Sequence, residues 1–318
     1  MSVINRREVL GLGLGALALG GAAAAGQDGP GALGGLAARL AAENRGRLRG
    51  IKRSCKIGMV GVGETIGEKF QILRDLGYDG VELDSPSDLD RDQVLAAIEA
   101  TGLRVPGVVD SVHWTKTLGD ADRAVRAAGR KGLETALHDA KAFGASTVLL
   151  VPAVVNAQIR YDQAYERSVA EIERVVPLAK ELGVTIAFEN VWNNFLLSPL
   201  EAARYVDGFE SRHVGWYLDL GNLVRSAWPD HWVHALGARI KKIDIKDYSR
   251  AKQNSEGIWA GFDCAIGAGD VGWETTMAAL DSVEWGIGGE HWASAEVGGG
   301  DAARLAEILA RMDDVLGR

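Results

Sequence analysis

The sequence predicts an α/β fold, a closed (β/α)8 TIM barrel, and three observations carry that expectation. Short apolar runs alternate eight times with stretches of helical spacing, the pattern of parallel strands joined by right-handed helical crossovers. The roughly 260 residues from Lys56 onward are close to the ~250 typical of such a barrel. Glycine stands just past four of the helical stretches, at Gly77, Gly102, Gly144 and Gly183, where a left-handed backbone most easily closes a helix. An open doubly wound sheet would want a phosphate-binding glycine turn after its first strand. Residues 58–63 spell that turn only loosely, and no acidic residue closes a second strand at dinucleotide spacing.

Taken in order, strands are expected at 57–60, 80–83, 104–109, 147–151, 184–188, 214–218, 240–245 and 292–297, each a short apolar run. The amphipathic stretches between and after them lie at 64–76, 91–100, 132–143, 162–182, 200–206, 229–236, 274–280 and 302–316.

Ahead of the barrel, Arg6-Arg7 precedes an apolar run of Leu, Gly and Ala that ends in small residues at Ala23-Ala24-Ala25, the order of a secretory signal. The arginine pair followed by Val9-Leu10 resembles a twin-arginine signal, which implies export of the folded protein to the periplasm. Five glycines dilute the run, against the ~20 strongly apolar residues that a membrane-spanning helix needs. The expected organisation is a signal over 1–25, a Gly/Ala-rich linker over 26–53, where glycine remains dense, and a barrel over 54–318. Stable membrane insertion after processing is not expected.

Composition narrows the function. The 318 residues carry 35 Lys and Arg against 43 Asp and Glu, a net charge of −8, so neither nucleic acid nor an anionic membrane is the expected partner. Two cysteines, Cys55 and Cys264, make neither a disulfide scaffold nor a CxxC zinc pair, and six histidines are too few for a multi-zinc site.

The chemistry is expected where barrel strands end. Four consecutive strands end in acids: Glu189 in IAFEN, Asp219 in YLDLGN, Asp244 in KIDIKD and Glu296 in SAEV. A carboxylate in an apolar strand end costs several kcal/mol unless it is paired or bound to a cation. Four in succession point to a shared divalent ion, Mn, Mg or Co in preference to Zn, because all-oxygen ligation suits harder cations. Asp247 is read instead as a structural acid that pairs with Lys246 or caps its loop.

From Lys56 to the C-terminus the sequence resembles the xylose-isomerase-like (β/α)8 family, and within it the sugar phosphate isomerase/epimerase group. The segments that carry the likeness are VELD at 81–84, TIAFENVWNNFLLSP at 185–199, YLDLGN at 217–222, IKKIDIKDYSR at 240–250 and SAEV at 294–297. The resemblance implies a metal held by Glu189, Asp219, Asp244 and Glu296, with Arg250 and Asn222 contacting substrate. Two positions depart from the pattern: Asp244 stands where related epimerases usually have His, and Phe195 stands where they have a glutamate.

The expected activity is a metal-dependent sugar isomerase or epimerase that moves a proton next to a carbonyl through an enediolate, with Glu189 and Glu296 as base and acid on opposite faces of one carbon. Trp192, beside Asn193-Asn194, and His113, beside Trp114, are further substrate-contact candidates, and Glu82 is either a partner of the ligands or a polar group of the barrel interior. A dehydratase or lyase acting on an oxidised sugar or cyclitol, and a non-catalytic sugar-binding barrel, are the alternative readings. A homo-oligomer is left open. Arg250 is the one basic residue placed near the metal, so a non-phosphorylated sugar is expected, with the glycine turn at 298–300 as the competing phosphate seat.

Overall fold

The computed structural model describes residues 50–317. The expected signal, and the expected linker up to residue 49, lie outside the described residues. No helix among the described residues is long and apolar enough to cross a membrane.

Eight parallel strands close into a barrel in sequence order, with the first strand paired to both the second and the last. They are β1 (Ile51–Lys56), β2 (Gly80–Ser85), β3 (Gly107–Asp110), β4 (Thr147–Leu150), β5 (Thr185–Glu189), β6 (Val214–Asp219), β7 (Ile240–Ile245) and β8 (His291–Ala295). The helices are α1 (Ile66–Leu76), α2 (Arg91–Thr101), α3 (Arg123–Phe143), α4 (Tyr161–Glu173), α5 (Val176–Leu182), α6 (Pro199–Asp207), α7 (Leu220–Val224), α8 (Pro229–Leu236), α9 (Arg250–Glu256), α10 (Trp273–Ser282) and α11 (Ala302–Leu316). Gly77, Gly102, Gly144 and Gly183 close their helices in the left-handed region, as their placement predicts.

The first strand is a correction. Residues 57–59 form a 3-10 turn, and the strand lies six residues earlier, so residues 51–53 of the expected linker belong to the barrel. Ile51-Lys52-Arg53-Ser54-Cys55-Lys56 has too many charges to read as a strand, and its partners are remote in sequence. Arg53 pairs with Asp79 at 3.0 Å and Asp313 at 2.7 Å, and Lys56 pairs with Glu82 and Asp244.

The stretch at 162–182 is two helices, because Pro177 cannot donate within a continuous helix and instead sits in the first turn of α5. In contrast, α3 begins nine residues before the expected 132, capped by the Asp122 side chain on the Ala124 N–H. Two glycines hid its first half. A Cβ at Gly129 would stand 1.9 Å from the Lys116 carbonyl oxygen, and one at Gly132 would stand 2.3 Å from Val112. These glycines let the loop after β3, which carries His113 and Trp114, lie directly on the helix.

Most apolar side chains pack between barrel and helices, whereas a separate small cluster of Leu149, Ala187 and Tyr217 adjoins a charged layer inside the barrel. In that layer Glu82 and Lys242, each 1% exposed, pair at 3.2 Å, and the Tyr217 hydroxyl donates to Glu82 at 2.9 Å. Gly107 makes room for them: a Cβ there would lie 2.4 Å from Glu82 Oε1 and 2.6 Å from Lys242 Nζ. Gly107→Ala is therefore expected to destabilise the barrel by about 1–3 kcal/mol through overpacking. Thermal denaturation checks this, and an unchanged midpoint would show that the pair has slack.

Candidate metal centre

Backbone register brings the acids together. Asp219 stands opposite Asp244 across β6 and β7, and Asp244 opposite Ser294 across β7 and β8. Glu189 is the last residue of β5, and Glu296 follows β8 directly. One carboxylate oxygen from each of Glu189, Asp219, Asp244 and Glu296 lies within 4.8 Å of the other three. All four sequence-predicted ligands therefore converge.

Asparagines fix the end of β6. Asn190 accepts from the Asp219 N–H at 3.0 Å and from Trp216 Nε1 at 3.0 Å, and its own amide donates to the Asp219 carbonyl at 2.7 Å. Asn222 donates its backbone N–H to Asp219 Oδ1 at 2.9 Å and its side-chain amide to Asp219 Oδ2 at 2.7 Å. Expected to touch substrate, Asn222 does line the cavity, but its amide is committed to aiming Asp219.

Two lysines sit among the carboxylates, and sequence reasoning missed both. Lys56 Nζ lies 2.7 Å from Glu82 and 3.0 Å from Asp244; Lys246 Nζ lies 2.7 Å from Asp219 and 2.8 Å from Glu296. Counting Lys242, three ammoniums face five carboxylates, Glu82 and the four ligands. Two negative charges remain, the charge that one divalent cation neutralises. The deficit is visible in the acids themselves. Burial and the neighbouring charges of Glu296, Asp219 and Asp244 push Glu189 well up from the ordinary carboxylate range. Asp244 is likewise well up through burial, in spite of Lys56. Burial would also raise Glu296, but Lys246 and Lys56 hold it below the ordinary range. Neither buried oxygen of Asp244 receives a directed hydrogen bond. An oxygen-only donor set with unsatisfied carboxylate oxygens and a deficit of two charges fits a hard divalent cation.

Lys56, Glu189, Lys246 and Glu296 line a cavity of about 1080 Å³ that also takes in His113, Trp114, Trp192 and Asn222. His113 Nδ1 accepts from the Val151 N–H at 3.3 Å, which leaves the ring proton of neutral His113 on Nε2. Trp192 donates Nε1 to the Asn222 carbonyl at 2.9 Å and packs against Trp259 and Phe262.

Arg250 is a correction, since it does not reach this cavity. Its guanidinium donates to the carbonyls of Val224 and Ala227 at 2.9 and 2.8 Å, clamping the turn after α7. The basic side chains beside the ligands are Lys56 and Lys246, whose ion-pair partners no local spacing reveals. Phe195 is buried in an aromatic cluster with Tyr161, Tyr165 and Tyr205. Asp247 is structural, as expected: it accepts from the N–H groups of Tyr248, Gly267 and Val271 and from Trp273 Nε1.

The fold and the acid quartet define a (β/α)8 barrel with a carboxylate cluster that could hold a metal ion at the carboxyl ends of its strands. The chain belongs to the xylose isomerase-like TIM barrel family, which matches residues 70–313. It is 32% identical over 199 residues to the L-ribulose-5-phosphate 3-epimerase UlaE of Escherichia coli O1:K1 (APEC), covering 58% of this chain and 69% of that one. The same enzyme of Escherichia fergusonii is 31% identical over the same length. In fold it is similar to the 3-keto-D-glucoside 4-epimerase YcjR of E. coli, with a TM-score of 0.68 at 17% identity over 83% of this chain and 98% of that one. An L-ribulose 3-epimerase superposes with a TM-score of 0.67 at 16% identity over 84% and 94%.

His113 gives a pH prediction. Burial lowers its pKa to about 4, so on acidification the unfolded chain, near 6.5, binds the proton first and stability falls between about pH 6.5 and 4. Asp110, raised to about 7 by burial, acts in the opposite direction over much of that range. The comparison is therefore between proteins: His113→Asn is expected to lose about 2–4 kcal/mol less than wild type between pH 7 and 4. Denaturant titrations at both pH values check it, and parallel losses would contradict it.

Proposed function

We propose that this protein is a divalent-metal-dependent sugar isomerase or epimerase acting on a non-phosphorylated sugar. The observation that carries the reading is the convergence of four strand-end carboxylates, two of which, Glu189 and Glu296, line one large cavity, in a chain whose relatives are sugar epimerases. When bound, the cation supplies positive charge to the substrate oxygen on which an enediolate anion develops. Glu189 and Glu296 project from β5 and from the end of β8, and they exchange the proton on opposite faces of the carbon next to the carbonyl. Neutral His113 offers an Nε2–H donor to a substrate oxygen, and Trp192 lends an apolar face. The ion pairs of Lys56 and Lys246 keep both carboxylate clusters neutral enough to be buried together.

The lining also supports a sugar without phosphate. Both lysines that face the cavity are engaged by carboxylates, and Asp84, Asp88 and Asp247 add negative charge to its walls. The glycine turn at 298–300 serves packing. Gly300 exchanges backbone hydrogen bonds with Met59 and Gly61, a Cβ at Gly299 would stand 2.0 Å from the Met59 oxygen, and the Asp301 carboxylate occupies the start of α11. Export to the periplasm through a twin-arginine signal over 1–25 is part of the proposal, supported by the Arg6-Arg7 pair and the apolar run after it.

Turnover of free ketoses and aldoses in deuterated water, with Mn2+ present, tests the chemistry. The expected result is deuterium at the carbon next to the carbonyl with the sugar's composition otherwise unchanged; loss of water from the product would instead make the protein a lyase. Glu189→Gln and Glu296→Gln are each expected to lower kcat by about 10²–10⁴-fold with the fold intact, and near-normal turnover in either removes that residue from the mechanism. For matched sugars, kcat/KM should favour the free over the phosphorylated form, and the reverse preference would overturn that part of the reading. Fractionation of cells expressing the full chain should place a shortened protein in the periplasm, and an uncleaved cytoplasmic chain would remove export.

A further inference from the structure

The cavity is larger than the metal centre needs, and its outer part has a different character. About 1080 Å³ is at the top of the ~300–1,000 Å³ range of sites that enclose drug-sized ligands, more than a single hexose ring fills. The outer part is aromatic. Trp259 lines it while 70% exposed, with its ring centroid 4.9 Å from Trp192, and Phe262 lies 5.0 Å from Trp192 at an interplanar angle of 31°. Trp114, 50% exposed, also lines the cavity, from the loop after β3.

Trp259 is not on a loose tip. The Tyr248 hydroxyl reaches the carbonyl of Ile258, the residue before it, at 2.7 Å and Gln253 Oε1 at 2.8 Å. Gly261, two residues on, lies so close to the Tyr248 ring that a Cβ would come within 2.2 Å. Asp247 in turn anchors Tyr248, Gly267 and Val271. A rigidly held, solvent-facing tryptophan packed at a 44° tilt against a second aromatic ring is a platform for a flat, partly apolar face. The C–H face of a sugar ring, or an aromatic aglycone, has that form. Ser87, Asp84 and Asp88 also line the cavity and offer acceptors for hydroxyl groups, and among the described residues no unpaired cation lines it to attract an anion.

We propose that Trp259, Trp192, Phe262 and Trp114 form a second subsite that holds a neutral ring attached to the reacting sugar, so that a disaccharide-type sugar, or a glycoside that keeps a carbonyl on its reacting ring, is preferred over a lone monosaccharide. The proposal rests on the sugar-binding part of the function above and names the substrate class of the same site.

Isothermal calorimetry on the Mn2+-supplemented full chain tests it, with free monosaccharides, their phenyl β-glycosides and the matching disaccharides of the gluco, galacto and xylo series as probes. In at least one series the phenyl glycoside and the disaccharide should bind at least about tenfold tighter than the monosaccharide, a difference of about 1.4 kcal/mol. Trp259→Ala and Trp114→Ala, exposed positions whose folding is verified by thermal melts, should bring that ratio to within about twofold of unity. Equal or weaker binding of the ring-bearing probes in every series overturns the proposal, as does a preference that survives both variants. A glycoside preference that depends on the tryptophans, with no deuterium exchange into the free sugars and reducing disaccharides, the probes that keep a carbonyl, supports the subsite and counts against the isomerase reading alone.

Discussion

Everything at the functional end of this barrel depends on how five carboxylates share a small buried volume with three ammoniums. Each carboxylate alone would cost several kcal/mol to desolvate, and clustering adds mutual repulsion. Lys56 and Lys246 each bridge two of the acids, and Lys242 holds Glu82 from below. What they leave uncompensated is two negative charges, and that remainder defines the site. Burial first, and that remainder with it, raises Glu189 and Asp244, and the remainder is the charge a divalent cation would offset. Asp244 fits the same logic: its carboxylate brings an extra charge into the cluster, and Lys56 stands 3.0 Å from it.

Holding like charges together demands stiff surroundings, and the neighbouring polar groups supply them. Asn190 and Asn222 tie the end of β6 so that Asp219 cannot turn away from its neighbours. Asp247 gathers the loop after β7 around its carboxylate, which positions Lys246 on one side and the Trp259 loop on the other. Arg250 clamps the turn after α7. A set of loops pinned in this way gives a cavity that is preformed, which is what orientation of a flexible, hydroxylated ligand requires.

The parts legible in the sequence are those whose signal is local. The strand-end acids stand out because a carboxylate inside an apolar run is conspicuous, and the helix ends are marked by glycines that a left-handed backbone needs. What escaped depends on contacts between distant segments. β1 reads as a linker because Arg53 and Lys56 look solvated until Asp79, Asp313, Glu82 and Asp244 are brought beside them. The front half of α3 is concealed by Gly129 and Gly132, whose purpose is the close approach of another loop. The family resemblance points Arg250 at substrate, whereas its guanidinium donates to the carbonyls of Val224 and Ala227. Trp259 sits in a stretch with no periodicity, so nothing nearby marks it as part of a cavity wall.

The most direct test of the charge account is the stoichiometry of Mn2+ binding to the purified full chain, measured by electron paramagnetic resonance of the free ion during titration. One Mn2+ per chain is predicted for the wild type, with none bound tightly by the Asp219→Asn/Asp244→Asn double variant, in which the deficit of two charges has been removed. A folded wild-type chain that takes up no Mn2+, or a double variant that binds it as tightly, would contradict the account.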